Sequence, residues 1–131
     1  MAGAPLILIV DDEAAFREVL SVKLSSVGFR VDTAENANDG IKKAKELKPD
    51  LILMDMKMPG PSGADAVISL HEDQKTKDIK IVFLSAFGDP RNEMEETDKN
   101  FARQIGAIDY IRKTDDLSSI AEKVRHLVLG K

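Results

Sequence analysis

The 131-residue chain contains no cysteine. That excludes disulfides, thiolate zinc sites and a cysteine nucleophile. An excess of positive charge is also missing, because 19 Lys and Arg stand against 23 Asp and Glu, for a formal net charge of -4. A surface built for the phosphate backbone of nucleic acid needs clustered positive charge, so no direct nucleic-acid partner is expected. The apolar run Leu6 to Val10 is far shorter than the ~20 residues of a membrane-spanning helix, and no basic region precedes it. A soluble cytoplasmic protein without a membrane partner is the expectation. Neither G-x-G-x-x-G nor G-x-x-x-x-G-K-[ST] follows that run, which argues against a dinucleotide-binding or P-loop enzyme.

What is present reads as an alternation of strands and helices. Leu6-Ile7-Leu8-Ile9-Val10 is a continuous β-branched and leucine run, the pattern of a strand buried on both faces. Phe16, Leu20, Leu24 and Val27 then recur at helical steps before Gly28, a natural terminator. Arg30 to Ala34 predicts a second strand. Ala37, Ile41 and Ala44 mark a helix that ends before Pro49. Leu51 to Met54 is a third strand, ending at Asp55, and Pro59, Gly60, Pro61 and Gly63 mark a loop before a helix over Ala64 to His71. A fourth strand is predicted over Ile79 to Leu84. Asp89 and Pro90 start a fourth helix whose buried side carries Met94, Phe101 and Ile105 and which ends at Gly106. Ala107 to Ile111 is the fifth strand, and Leu117, Ile120, Val124 and Leu127 stripe a fifth helix. One domain over residues 1–131, with a core of about 5–129, fits this length and a hydrophobic fraction of 43%.

Such alternation requires right-handed crossovers and a mostly parallel sheet covered by helices on both faces. Ligands of open α/β sheets bind beyond the carboxyl ends of the strands. Asp11 and Asp12 follow the first predicted strand, Asp55 the third, Ser85 the fourth and Lys113 the fifth, so all five meet at one sheet edge. Three carboxylates there repel one another unless a cation compensates them. Oxygen ligands without nearby histidine or cysteine favour a hard ion, and Mg²⁺ combines one or two carboxylates with water and phosphate oxygen. The arrangement suits phosphoryl transfer, in which an aspartate attacks phosphorus while the metal and a lysine neutralise the equatorial oxygens. Taken singly, each residue has a plainer reading: Asp11 and Asp12 as helix caps, Asp55 as a turn acid, Ser85 and Tyr110 as packing residues and Lys113 as surface charge. His71 and His126 fall on predicted helices away from the acids and read as surface or boundary residues.

The segments Asp11-Asp12, Asp55-Met56-Lys57-Met58-Pro59-Gly60, Ser85-Ala86 and Gly106 to Lys113 resemble, in order and context, the response-regulator receiver family of two-component phosphorelays, and the resemblance covers nearly the whole chain. It implies a flavodoxin-like (βα)5 fold, a doubly wound parallel five-stranded sheet of order 2-1-3-4-5. It also implies Asp55 as phosphoacceptor. Asp12 and Asp55 would bind Mg²⁺ through carboxylates, Lys57 through its main-chain carbonyl and Asp11 through water. Ser85 matches the hydroxyl switch residue, Tyr110 the aromatic switch residue that turns from solvent toward the interior, and Lys113 the lysine of the site. Implied partners are a sensor histidine kinase or histidine phosphotransfer protein and a downstream protein read by the fourth helix, fifth strand and fifth helix, a face that also allows a homodimer.

Two departures from the family pattern stand out. Thr114 follows Lys113 where proline is usual, and the stretch between Ser85 and Lys113 is lengthened, with the addition in the acidic run Gly88 to Asn100. The leading expectation is a phosphoacceptor switch that catalyses its own phosphorylation and slow dephosphorylation, rather than an enzyme in the turnover sense. The alternative is a receiver-like interaction module that no longer cycles. A phosphatase of the haloacid-dehalogenase type would need an acid where this chain has Lys57. With no helix-turn-helix or catalytic region following in the sequence, either a stand-alone regulator or a piece of a larger protein is expected.

Overall fold

The computed structural model of the protein describes residues 3–56, 58, 60, 62–85 and 106–130. Its elements run β1 (Leu6–Val10), α1 (Ala14–Ser26), β2 (Arg30–Ala34), α2 (Ala37–Leu47), β3 (Leu51–Asp55), α3 (Gly63–Glu72), β4 (Lys80–Ser85), β5 (Asp109–Arg112) and α4 (Leu117–Leu129). The fourth helix predicted from the sequence, with Asp89, Pro90, Met94, Phe101 and Ile105, lies outside the described residues, as does the acidic run from Gly88 to Asn100. Every strand pair is parallel, in the order β2-β1-β3-β4-β5. This is the expected doubly wound sheet.

Period-two alternation divides the strands between two cores. Leu8, Val10, Ile52, Met54, Ile81, Phe83 and Tyr110 face one way and pack with Ala37 and Ala44 of α2 and Ala66, Val67 and Leu70 of α3. Ile7, Ile9, Leu51, Leu53, Val82, Leu84 and Ile111 face the other way, against Leu20 and Leu24 of α1 and Ile120, Ala121 and Val124 of α4. Both faces are covered, which is why the central strands read as unbroken apolar runs. Close packing of α2 on the sheet depends on Gly40, where a Cβ would lie 2.8 Å from Val10 Cγ2.

The end of α1 differs from the predicted stripe. Val27 is 47% exposed and forms the C-cap, and the buried place beyond Leu24 goes to Phe29. The cause is the turn itself. Gly28, at φ +103, donates its N–H to Ser25 O at 3.1 Å, and Phe29 donates to Leu24 O at 3.1 Å. That pair of bonds is a Schellman motif, which brings the residue after the glycine back onto the helix's apolar side. At the end of α2, Lys48 takes a left-handed conformation at φ 48, and Pro49 follows. At the start of α3, Ser62 Oγ accepts from Asp65 N at 3.1 Å while Asp65 Oδ2 accepts from Ser62 N at 3.3 Å, a reciprocal capping box.

Candidate functional site

Three main-chain bonds continue the ladders past the strand ends and hold Asp11, Asp55 and Lys113 in place. Asp11 N donates to Ala34 O at 3.0 Å, Met56 N, next to Asp55, to Leu84 O at 3.1 Å, and Lys113 N to Ser85 O at 2.8 Å. The registers Asp55↔Leu84 and Ser85↔Arg112 set these ends side by side at the carboxyl edge of the sheet. The loop after β3 folds back tightly. Gly63 N donates to Met56 O at 3.2 Å, and a Cβ at Gly63 would collide with the Asp55 carbonyl. Only glycine allows that approach.

Carboxylate oxygens of Asp11, Asp12 and Asp55 lie within 4.8 Å of one another. Asp11 is fully buried and Asp55 is 2% exposed, whereas Asp12 is open to solvent. Asp11 Oδ1 accepts from Glu13 N at 2.8 Å, so this acid bonds the amide at the start of α1. Its other oxygen, Oδ2, is buried without a directed hydrogen bond, although the Lys113 ammonium is only 2.7 Å away. A buried oxygen compensated by charge alone, inside an all-oxygen acidic set, fits a hard divalent cation, so the Asp11, Asp12 and Asp55 cluster could hold a metal.

Lys113 reaches these acids with Thr114 behind it instead of proline. Its side chain is 6% exposed, and Nζ lies 2.6 Å from Glu13 Oε1 and 3.4 Å from Asp55 Oδ2. Burial disfavours the ammonium, but the Asp11 and Glu13 carboxylates beside it and the field of Asp55 outweigh it, holding Lys113 above its ordinary range. The Phe16 ring lies under the same charge, 5.0 Å from centroid to Nζ. Such an edge can attract a cation, present a buried carboxylate to an electrophile and neutralise oxygens carried by that electrophile.

The profile of the response regulator receiver domain family matches residues 7–125. This chain belongs to that family. It is 40% identical over 107 residues to the phosphate regulon transcriptional regulatory protein PhoB of Pseudomonas aeruginosa, covering 82% of this chain and 44% of that protein. It is 34% identical over 124 residues to Protein PilH of the same species, covering 95% of this chain and 98% of that protein. A putative response regulator from Chloroflexus aurantiacus superposes with a TM-score of 0.85 at 25% identity, over 96% of this chain and 98% of that one. The receiver thus spans less than half the length of the PhoB relative and nearly all of PilH.

Within this receiver the predicted residues divide into three groups. Asp11, Asp12, Asp55 and Lys113 come together, with Ser85 at the same edge, 9% exposed. Tyr110 is 3% exposed and sits in the core beside Phe83, its register partner, which is the inward of the two places expected of a switch residue. Alternation along β5 sends Tyr110 and Ile111 to opposite faces that are both covered. Lys57, whose carbonyl was expected to face the metal, lies outside the described residues. His71 and His126 are exposed on α3 and α4, as expected. Glu13 was missed. No local signal ties it to a lysine 100 positions away, although glutamate is an unusual choice where it stands, at the N-cap of α1. Among the described residues no helix is long and apolar enough to cross a membrane.

Proposed function

We propose that this receiver takes a phosphoryl group onto Asp55 from a phosphohistidine on a sensor histidine kinase or histidine phosphotransfer protein, with Mg²⁺ as cofactor. The observation that carries this reading is the convergence of buried Asp55 with Asp11, Asp12 and the Lys113 ammonium at one sheet edge. An Asp55 carboxylate oxygen attacks phosphorus and forms the O–P bond as the N–P bond breaks, and the leaving electron pair returns to the imidazole nitrogen. Asp12 and Asp55 would hold the metal through carboxylates, Asp11 through water and Lys57 through its carbonyl. When bound there, Mg²⁺ supplies charge neutralisation at the phosphoryl oxygens. Lys113 supplies a second positive charge to those oxygens. Slow hydrolysis of the acyl phosphate by the same site returns the receiver to rest.

In this reading residues 1–131 form one receiver domain with its core at about 5–129, acting in the cytoplasm. Ser85 moves toward the phosphoryl oxygens and the packing around Tyr110 responds, since β4 and β5 are neighbours and Tyr110 pairs with Phe83. A downstream protein, or a second copy of the receiver, then reads the face that includes β5 and α4. Phosphorylation need shift that equilibrium by only about 1–3 kcal/mol to change partner affinity usefully. The experiment is incubation with Mg²⁺ and acetyl phosphate followed by intact-mass measurement. Wild type should gain one phosphoryl group and Asp55→Asn none, because the amide is a poor nucleophile of the same shape. A phosphoryl gain on Asp55→Asn would move the acceptor elsewhere.

A further inference from the structure

The phosphoacceptor and metal readings leave Glu13 without a role. Its position is the N-cap of α1, with extended backbone at φ -86, ψ 103, where short oxygen-bearing side chains are preferred because they reach the exposed amides of the first turn. The Glu13 side chain makes no such bond. It runs to Lys113 instead, 2.6 Å from Nζ, closer than Asp55 at 3.4 Å. With the Phe16 ring 5.0 Å from the same nitrogen, the first turn of α1 supplies an anion and an aromatic face to one ammonium.

An ammonium has three donors, and here three carboxylates surround it: Asp11, Glu13 and Asp55. A phosphoryl group on Asp55 takes over that carboxylate's share of the ammonium and carries more negative charge, so it draws Lys113 away from the two partners that are now closer, Asp11 and Glu13. Asp11 is fully buried, and losing the lysine would strand its charge away from water. The Glu13 side chain is 59% exposed and can be rehydrated at once. Glu13 is therefore the partner released. We propose that Glu13 is a positioning residue acting through Lys113: it holds the ammonium at the first turn of α1, competes with a phosphoryl group for it, and so limits how firmly the site retains that group. This rests on the reading of Asp55 as phosphoacceptor.

The test compares wild type, Glu13→Gln and Asp55→Asn by amide NMR titration with beryllofluoride, a phosphoryl mimic, at saturating Mg²⁺. Glu13→Gln keeps the length of the side chain and removes its charge, and no helix-cap bond is lost. It should bind beryllofluoride about two- to five-fold tighter than wild type, the scale of a partly exposed ion pair. That advantage should shrink as salt is raised, because an exposed charge is screened. A merely structural role would move the melting temperature without a salt-dependent change in affinity. If wild type binds and Asp55→Asn does not, while Glu13→Gln binds equally or more weakly than wild type, the competition is refuted and the phosphoacceptor reading stands. If wild type and Asp55→Asn behave alike, the phosphoacceptor reading fails and the inference falls with it.

Discussion

Replacing Lys113 with methionine tests whether its charge is what makes the acidic edge tolerable in the metal-free protein. The substitution keeps an unbranched, largely apolar stem in a position that is 6% exposed, and removes a cation lying within 4.0 Å of both Asp11 and Asp55. Those carboxylates are 0% and 2% exposed, so little water is available to replace the lysine. Deleting one partner of a buried pair typically costs about 3–5 kcal/mol. Glu13 is exposed and its share of the loss is small. Improved apolar packing by methionine offsets on the order of 1 kcal/mol, leaving a net loss of about 2–4 kcal/mol. At roughly 3–4 °C per kcal/mol for a domain of this size, melting should fall by about 6–16 °C.

The assay is thermal unfolding followed by circular dichroism near pH 7 in EDTA, repeated with Mg²⁺. A metal at 100 times its dissociation constant restores about 2.7 kcal/mol by mass action, so Mg²⁺ should recover much of the deficit if it settles among the same acids. The pH dependence has a definite sign. Lys113 is raised in the folded state from an ordinary value of 10.5, so its stabilisation is fully present below that value and is lost as pH rises through the folded-state value. The gap between wild type and Lys113→Met should therefore be flat through neutral pH and close only in alkali. A metal-free Lys113→Met that melts at or above wild type would refute the reasoning.

Other consequences are sharper in direction than in size. Asp12→Asn removes an exposed charge from the cluster, so the metal-free protein should gain up to about 1 kcal/mol while Mg²⁺ binding weakens, and unchanged affinity by calorimetric titration would exclude Asp12 as a ligand. Gly63→Ala forces a methyl group into the Asp55 carbonyl, and a loss near 3 kcal/mol in urea unfolding is expected, with wild-type stability counting against this close approach. Ser85→Ala should still accept a phosphoryl group on Asp55 but lose most of the amide shifts that beryllofluoride induces over residues 106–111. Shifts as large as in wild type would remove Ser85 from the switch.

The parts legible in the sequence are those where one physical constraint acts alone. A strand covered on both faces must be apolar throughout, and parallel strands must bring their carboxyl ends to one edge, so Asp11, Asp55, Ser85 and Lys113 could be placed together before any coordinates. Val27 was misplaced because helical periodicity and turn chemistry make opposite demands there. The stripe extends to Val27, but Gly28 closes the helix and delivers Phe29 to the buried side. Tyr110 was legible only in part: its switch role came from family resemblance, whereas its place inside follows from strand alternation between two covered faces. For Glu13 the local pattern named no partner, since an acid at a helix start suits the dipole without one. Its partner is specified by the crossover that returns β5 beside β4, and only the folded sheet brings Lys113 across to the first turn of α1. A residue whose role depends on such a crossing carries a faint local trace, here a glutamate where a short capping side chain would serve the helix better. That mismatch between local fitness and residue choice marks Glu13 as answering to Lys113 rather than to its own helix.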